Sequence, residues 1–132
     1  MKITADTNVL VRAAVLDEPV QAQLASQLFG TEEHIAISLP CLCEFAWVLK
    51  RAYRFKNPQI AFAIEQLLES DNIGIERAAV EEGLKVLRSG GDFADGVLAY
   101  EGRRLGGETF VSFDKEAVKL LARQGYETQL LS

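Results

Sequence analysis

The chain has 132 residues and a formal net charge of −5, from 14 Lys plus Arg against 19 Asp plus Glu. This length, with 48% hydrophobic residues, predicts one globular domain over residues 1–132 and excludes a disordered or low-complexity chain. No uncharged apolar run approaches the roughly 18 residues of a membrane span, and no basic leader precedes the first apolar stretch, so we expect a cytoplasmic protein. The acidic balance argues against a broad basic surface for nucleic acid, but it leaves a local site open.

Short apolar runs alternate with longer helical patterns along the chain. The predicted strands cover residues 2–5, 34–38, 72–75, 109–113 and 126–131. The predicted helices cover residues 9–16, 19–29, 40–53, 58–70, 78–87, 92–105 and 115–123. Strands separated by helices become parallel neighbours joined by crossovers. We therefore predict an α/β fold, a three-layer α/β/α sandwich with a mainly parallel central sheet.

Acidic residues follow several of the predicted strands. Asp6 comes directly after the first strand, and Asp114 comes directly after the fourth. Glu44 lies in the first turns of the helix after the second strand, and Asp95 lies one turn into the helix that begins near Asp92. Ligands of parallel sheets bind outside the carboxyl ends of the strands. We therefore expect these carboxylates to form a convergent acidic cluster.

Helix capping is the alternative role for the aspartates. Asp6, Asp92 and Asp114 each stand at a predicted helix N-cap, where an Asp side chain contributes about 1 kcal/mol by accepting a backbone N–H bond. Asp95 would then simply favour the positive end of a helix dipole. Taken one at a time, none of these aspartates is evidence for a site.

Glu44 is harder to explain by local structure. It lies off the predicted apolar stripe of its helix, and no basic residue stands three or four positions away. The stripe consists of Leu42, Phe45, Ala46, Leu49 and Tyr53. A carboxylate on a largely apolar shoulder needs a polar, ionic or metal partner from elsewhere in the fold.

Electrostatics favours a bound cation at a converging acidic cluster. Two unit charges about 6 Å apart repel by roughly 3 kcal/mol at an effective dielectric near 20, a heavy cost for a domain of about 5–15 kcal/mol stability. Oxygen ligands without a nearby His or Cys favour Mg²⁺ or Mn²⁺, and such ions promote phosphodiester hydrolysis. The sequence has no Walker-type loop or dinucleotide fingerprint, and its one histidine, His34, is predicted to be a surface residue.

The two cysteines, Cys41 and Cys43, stand two residues apart on a predicted helix. Their side chains would then point about 200° apart, which rules out a disulfide between them. We expect buried thiols rather than a metal site.

The acidic residues occur in four short motifs, at residues 6–8 (Asp-Thr-Asn), 42–45 (Leu-Cys-Glu-Phe), 92–95 (Asp-Phe-Ala-Asp) and 112–114 (Ser-Phe-Asp). Together they resemble the PIN-domain ribonucleases, and most closely the VapC toxins of bacterial and archaeal type II toxin–antitoxin pairs. The resemblance covers essentially the whole chain. The first and last motifs are weak alone, whereas the joint order and spacing are specific.

The resemblance implies catalytic, metal-binding roles for the acidic residues. Asp6, Glu44 and Asp95 would bind Mg²⁺ or Mn²⁺, and Asp114 would be the fourth and more variable acidic residue. Asp92 matches an additional acidic position that some family members carry, and it is either a ligand or a helix cap.

Three neighbouring residues would support the acidic set according to the same resemblance. Thr7 and Asn8 would orient Asp6, and Ser112 stands where family members often have Thr. Gly96 stands where a small residue such as Ala is common, a departure expected to loosen its helix.

The resemblance also implies partners: an RNA substrate, a second copy in a homodimer, and a cognate antitoxin that reaches operator DNA through its own N-terminal part. The region 40–68 offers ample apolar surface for a protein partner, although an ordinary two-helix core layer accounts for it equally. Its apolar residues are Leu42, Phe45, Trp47, Val48, Leu49, Tyr53, Phe55, Ile60, Phe62, Ile64, Leu67 and Leu68.

Positive charge for RNA is confined to two short runs. They are Lys50, Arg51, Arg54 and Lys56, and the smaller pair Arg103 and Arg104. These residues either contact phosphates or form a solvated helix face. The 19 acidic residues less the five proposed site residues leave 14, equal to the 14 basic ones. The net charge of −5 is therefore equal in size to the charge of the five proposed site residues.

Two alternatives to a metal-dependent endoribonuclease toxin remain from the sequence. One is a catalytically inactive PIN fold kept as a binding scaffold. The other is a receiver-like signalling module, which also gathers acidic residues around Mg²⁺. A receiver usually has an acidic pair after its first strand, whereas Thr7 and Asn8 stand there in this chain. It also has a phosphoacceptor Asp after a middle strand, whereas Glu76 and Arg77 follow the weak strand at 72–75.

Overall fold

Helices and short strands alternate along the chain in the computed structural model, which describes all residues from Met1 to Ser132. The strands are β1 (Lys2–Thr4), β2 (His34–Ala36), β3 (Ile73–Gly74), β4 (Phe110–Ser112) and β5 (Thr128–Leu130). The helices are α1 (Thr7–Ala14), α2 (Pro19–Thr31), α3 (Leu39–Arg51), α4 (Asn57–Leu68), α5 (Arg77–Arg88), α6 (Phe93–Arg104) and α7 (Lys115–Arg123). The chain divides into two compact units, Met1–Glu76 and Arg77–Ser132.

The first unit contains a three-stranded parallel sheet in the order β1-β2-β3. Ile3 pairs with Ile35, and Ile35 pairs in turn with Ile73, so an isoleucine occupies the same level in each strand. Asn72, just before β3, donates two 3.0 Å hydrogen bonds from its amide to the carbonyls of Phe29 and Glu32 at the end of α2. These bonds satisfy carbonyls that the helix end leaves without partners.

Helices α1, α3 and α4 supply the apolar core of the first unit. The fully buried side chains include Leu10, Leu42, Phe45, Leu49, Ile60 and Ile64. Five of the twelve apolar residues named for the region 40–68 are therefore buried in the core, and five more are half-buried. Trp47 and Phe62 depart from this pattern, because their side chains are 62% and 64% exposed.

Helix α3 begins and ends at identifiable signals. The Ser38 hydroxyl caps its first turn by accepting the Cys41 N–H at 3.3 Å. The helix ends at Arg51, and Arg54 takes the left-handed conformation with φ of 57°. The Phe55 N–H then bonds the Leu49 carbonyl at 2.9 Å. The predicted stripe therefore stops at Leu49, and the inclusion of Tyr53 in it was wrong.

Close packing of α5 on α6 dominates the second unit. A Cβ atom added to Gly96 would lie 2.5 Å from the carbonyl oxygen of Glu82, and one added to Gly83 would lie 2.6 Å from the Phe93 ring. The two helices approach so closely only because both positions lack a side chain. Helix α6 is continuous from Phe93 to Arg104, so Gly96 serves helix packing and the expected loosening was wrong.

A two-stranded parallel sheet, β4-β5, completes the second unit. Next to it, the Tyr126 hydroxyl donates to Glu82 at 2.7 Å, and the Arg103 guanidinium lies 4.1 Å from the centre of the Tyr126 ring. Burial and the Glu82 hydrogen bond raise the pKa of Tyr126 to about 12. Partial burial raises the Glu82 pKa, but the Lys85 and Tyr126 hydrogen bonds outweigh it and the net pKa is lowered.

The predicted α/β class with parallel strand pairing is confirmed. Predicted boundaries differ by about two residues, and the first helix begins at Thr7 rather than at residue 9. No helix in the structure combines the length and the apolar character that crossing a membrane requires.

Candidate functional site

Asp6 and Glu44 lie together at the carboxyl ends of two adjacent strands of the first unit. Asp6 stands two residues after the end of β1, and Glu44 lies on α3, the helix after β2. Since β1 and β2 are parallel neighbours, both residues reach the same edge of the sheet, as the sequence predicts. Both line an open depression of about 570 Å³, together with Thr4, Ala5, Thr7, Ser38, Pro40 and Cys41.

Thr7 connects the two elements of this depression. It is the buried polar residue of the core, 7% exposed, and its hydroxyl donates a short hydrogen bond to Glu44 Oε1. Glu44 therefore has the polar partner from elsewhere in the fold that its sequence environment calls for. The expected partner of Thr7 was Asp6, whereas the structure gives its hydroxyl to Glu44; Asn8 is exposed and makes no hydrogen bond to Asp6.

The Asp6 carboxylate makes no capping bond. Its backbone adopts N-cap geometry for α1, with φ of −83° and ψ of 159°, but its side chain accepts no hydrogen bond from the helix. The Asp6 side chain is exposed. A capping role therefore does not account for Asp6, and both of its oxygens remain available to a ligand.

Cys41 lies under the Asp6 and Glu44 carboxylates. Its sulfur is 3.6 Å from both the Thr7 hydroxyl and the Ala5 carbonyl. Burial raises the pKa of the Cys41 thiol, and the negative charges of Asp6 and Glu44 raise it further. Cys41 is thus a neutral, packed thiol at physiological pH, not a nucleophile. Burial also raises the pKa of Cys43. Both cysteines are free, and Cys41 is buried as predicted, whereas Cys43 is only half-buried.

Asp114 in the second unit is a true helix cap. Its Oδ1 accepts the backbone N–H groups of Glu116 at 2.9 Å and Ala117 at 3.2 Å, which satisfies two donors at the start of α7. Ser112 supports this turn, because its hydroxyl accepts the Asp114 N–H at 2.9 Å. Both capping bonds fall on Oδ1, so a cap and a ligand role are compatible at this residue.

Asp95 is the most perturbed carboxyl group of the chain. It lies half-buried in the first turn of α6, and burial together with the charges of Asp92 and Asp114 raises its pKa to about 6. Asp92 stands at the N-cap of α6 but makes no capping bond through its side chain. Three acidic residues of the second unit therefore act on one another electrostatically.

The donor chemistry of both groups fits a hard divalent cation. The acidic side chains are carboxylates only, the ligand type that Mg²⁺ and Mn²⁺ prefer. No group of three or more acidic, His or Cys side chains in the structure is arranged to hold a metal ion, so the predicted convergent cluster is not shown. Asp6 and Glu44 lie in the first unit, and Asp92, Asp95 and Asp114 lie in the second.

The basic residues divide into two groups. Arg103 stacks on Tyr126, and Arg104 pairs with Glu101 at 3.0 Å, so both have roles inside the second unit. Lys50, Arg51, Arg54 and Lys56 are all exposed at the end of α3 and in the loop after it. This second group is the one that the structure leaves facing solvent. His34 is exposed, as predicted.

Sequence reasoning predicted Cys41 to be a buried thiol but missed its contact with Thr7 beside Glu44. Its position three residues before Glu44 on one helix was the available signal, because residues at that spacing are neighbours on a helix surface. Nothing in the sequence pattern could show that Cys41 meets Thr7 and Ala5, which are 34 and 36 residues away.

One comparison with known proteins identifies a family. The family model described as PIN domain matches residues 3–122, which is most of the chain and includes all the acidic residues discussed above. No curated protein sequence matches the chain.

Proposed function

This chain belongs to the PIN-domain family, whose members are generally nucleases that need a divalent metal ion, and on that premise we propose that it is an endoribonuclease that hydrolyses RNA phosphodiester bonds with Mg²⁺ or Mn²⁺. The family match includes residues from both compact units. We therefore propose that residues 1–132 act as one PIN domain.

The observation that carries this proposal is the pair of carboxylates, Asp6 and Glu44, that line one open depression, with no capping bond to account for Asp6. The state of Asp95 supports it. Its pKa of about 6 reflects burial and repulsion by Asp92 and Asp114, and no basic side chain offsets either effect. The charged form of such a group costs folding stability, and a bound cation or a proton removes that cost. Strongly perturbed carboxyl groups of this kind are typical of functional sites.

We propose that Asp6, Glu44, Asp95 and Asp114 hold the metal ion, with Asp92 as a further candidate. When bound, a divalent ion lowers the pKa of a water molecule and neutralises charge on the phosphate. The side chains themselves have defined tasks. Thr7 holds the Glu44 carboxylate through its hydroxyl, and Ser112 holds the backbone N–H of Asp114.

Cleavage of RNA by the purified chain, with and without Mg²⁺ or Mn²⁺, tests the activity. We expect cleavage only with the metal, and a loss of at least about 100-fold in Asp6→Asn, since even residues that merely support metal ligands change activity by about 10–100-fold. Asp71→Asn is the matched control, because Asp71 is an exposed carboxylate in the loop before β3. An Asp6→Asn chain that cuts RNA as fast as the parent contradicts the proposal.

A double variant tests whether residues of both acidic groups serve one metal ion. If Asp6 and Asp95 bind the same ion, Asp6→Asn and Asp95→Asn together cost little more activity than either alone, since groups that act as a unit are strongly non-additive. Fully multiplicative losses would indicate separate roles for Asp6 and Asp95.

Absence of both cleavage and calorimetric metal binding would favour the inactive scaffold. The receiver-like alternative has no support once the family is known.

We propose further that the protein is the toxin of a type II toxin–antitoxin pair. The first unit contains an open cleft of about 730 Å³ with a mostly apolar lining that includes Leu10, Phe29, Phe45, Phe55 and Leu67. An amphipathic helix of an antitoxin is the kind of ligand that fits such a cleft. The antitoxin would connect the complex to operator DNA, and a homodimer is the expected assembly.

The neighbouring reading frame provides the test of this role. It is expected to encode a small protein with a basic DNA-binding segment and an amphipathic tail. Co-expression of that protein should yield a stable complex in which RNA cleavage is suppressed.

A Leu67→Asp variant should weaken the complex, because it places a charge in the apolar cleft. Unchanged affinity in this variant would contradict the cleft as the antitoxin site, and sedimentation velocity of the chain alone checks the homodimer.

A further inference from the structure

Trp47 is the one tryptophan of the chain, and its indole is 62% exposed near the middle of α3. Isolated exposed apolar side chains are common on protein surfaces, so exposure alone indicates nothing. The informative feature is the position of Trp47 on its helix relative to Glu44 and to the basic residues that follow.

Helical geometry places Glu44, Trp47 and Arg51 on one outward face of α3. At about 100° per residue, Trp47 lies roughly 60° around the helix axis from Glu44, and Arg51 lies roughly 20° from Glu44. At about 1.5 Å per residue, Trp47 and Arg51 are about 4.5 Å and 10.5 Å further along the axis. All three side chains are exposed, and the buried residues Leu42, Phe45, Ala46 and Leu49 lie on the opposite side. The buried Cys41 lies about 60° from Glu44, on the side away from Trp47.

We propose that this outward face of α3 binds single-stranded RNA, with one base stacked on Trp47 and a backbone phosphate held by Arg51. The proposal rests on the proposed ribonuclease function, because it assigns Glu44 to the reacting end of the face. Nucleotides stacked in a strand repeat at about 3.4 Å, so about three steps cover the distance from Glu44 to Arg51.

The chemistry of the face favours a polyanion with aromatic bases. An exposed indole is a stacking platform for any base, and an arginine close to it supplies a phosphate contact without reading sequence. Arg54 and Lys56, both exposed, continue the positive charge beyond the helix end. Contacts of this kind bind RNA with little sequence preference.

Helix stabilisation and a protein interface would each account for part of this face. Lys50 and Arg51 lie in the last turn of α3, where cations offset the negative end of the helix dipole. Trp47 would alternatively be the anchor of a protein interface. Interface cores are enriched in Trp and Arg, so Trp47 and Arg51 alone suit either partner, but such cores are depleted in Glu and Lys, and Glu44 and Lys50 flank Trp47. This composition favours RNA over a protein partner.

Intrinsic fluorescence gives a direct test, since all tryptophan emission comes from Trp47. The full chain, kept free of divalent metal with EDTA, is titrated with an unstructured oligoribonucleotide of about 12 nucleotides, within the usual range of site sizes. We expect saturable quenching of the emission. Inorganic polyphosphate supplies the charge without the bases, and it should leave the emission nearly unchanged.

Variants measured by fluorescence anisotropy of labelled RNA separate the contributions. Trp47→Ala should weaken RNA binding by about 10-fold or more, and Trp47→Phe should recover most of the affinity because the ring still stacks. Arg51→Gln should reduce the slope of log affinity against log salt by about 0.7. Phe62→Ala removes an equally exposed ring from α4 and should leave RNA affinity unchanged.

The outcomes distinguish this proposal from the proposed function. Binding that depends on Trp47 without any metal-dependent cleavage would retain the RNA face and overturn the nuclease. Cleavage with unquenched Trp47 and undiminished affinity in Trp47→Ala would retain the nuclease and overturn the RNA face. A Trp47→Ala chain whose sedimentation coefficient falls while its RNA affinity is unchanged would identify the face as a protein interface, and this also overturns the proposal.

Discussion

The two compact units present their carboxylates in different ways. In the first unit, Asp6 and Glu44 are exposed, and the Thr7 hydroxyl holds Glu44 in place. In the second unit, Asp95 is half-buried, and burial together with Asp92 and Asp114 raises its pKa to about 6. The first unit therefore holds one of its two acidic residues, Glu44, by a hydrogen bond, and the second unit crowds its acidic residues together at an electrostatic cost.

The difference shows two routes to a set of ligands for a cation. An exposed carboxylate with a neutral donor keeps its charge at little cost, because solvent screens it. Burial and neighbouring negative charges disfavour the charged form of a half-buried carboxylate, and a bound cation or a proton relieves this cost. The first route depends on one side-chain contact, whereas the second depends on how the helix backbones pack. Each route can be disrupted separately.

Gly96→Ala should produce the largest effect, because it disrupts the backbone packing that positions Asp95. The new methyl group would lie 2.5 Å from the Glu82 carbonyl and 2.7 Å from Gly83 Cα, both backbone atoms that cannot move out of the way independently. We expect a loss of about 2–3 kcal/mol in the free energy of unfolding measured with urea, as for overpacked cores.

Gly102→Ala is the matched control on the same helix. A Cβ at Gly102 meets nothing within 4 Å, so this change should stabilise the chain by about 0.5–1 kcal/mol through helix propensity alone. If both variants are equally stable, the close approach of α5 and α6 is not what requires glycine at position 96.

Thr7→Val should come next in size and should act on the first unit alone. Valine keeps the shape of Thr7 but removes the hydroxyl that donates to Glu44. We expect metal-dependent cleavage to fall by about 10-fold, in the range seen when groups that orient ligands are lost. Unfolding stability should change by less than about 1 kcal/mol, since an apolar side chain replaces a buried hydroxyl and exposed Glu44 can be solvated.

The hydroxyl itself, rather than the shape of the side chain, is what this variant removes. Thr7→Ser keeps the hydroxyl and should therefore retain most of the activity even though it loses a buried methyl group. Equal losses of activity in the serine and valine variants would show that the hydroxyl does not position Glu44.

Asp95→Asn should have a small stabilising effect, and the size of this effect depends on pH. The folded-state pKa of Asp95, about 6, lies above its unfolded value near 4, so the folded state holds the proton more tightly. Stability from this group is fully present below about pH 4 and is lost as pH rises through about 6. Asparagine carries no charge, so the variant does not lose stability as the pH rises. At about pH 7.5 its free energy of unfolding should exceed that of the parent by about 1 kcal/mol, after discounting for solvent screening.

Urea unfolding without divalent metal at about pH 4 and about pH 7.5 measures this effect. The gain from Asp95→Asn should shrink toward zero at the lower pH, whereas Asp71→Asn, an exposed carboxylate of the first unit, should show no such trend. An equal gain at both pH values would mean that repulsion and burial do not strain Asp95. The variant should also lose metal-dependent cleavage, so stability and activity would change in opposite directions.

Local periodicity predicted the helices and strands well. The stripe of Leu42, Phe45, Ala46 and Leu49 is buried as its spacing predicts, and Lys115–Arg123 is a helix with the predicted bounds. The end of α3 was misplaced because its stop is a left-handed Arg54, a conformation that favours glycine and that no sequence pattern announces at an arginine. The parallel pairing followed from the alternation of helices and strands.

The sequence by itself determined the α/β class, the carboxylates at the strand ends and the need of Glu44 for a partner, because these follow from patterns between residues close in the chain. Only the tertiary structure decided that Thr7 is that partner, that Asp114 caps a helix while Asp6 does not, and that Gly96 serves close packing. These outcomes depend on atoms that meet through space from distant parts of the chain. Thr7 and Glu44, for example, are 37 residues apart.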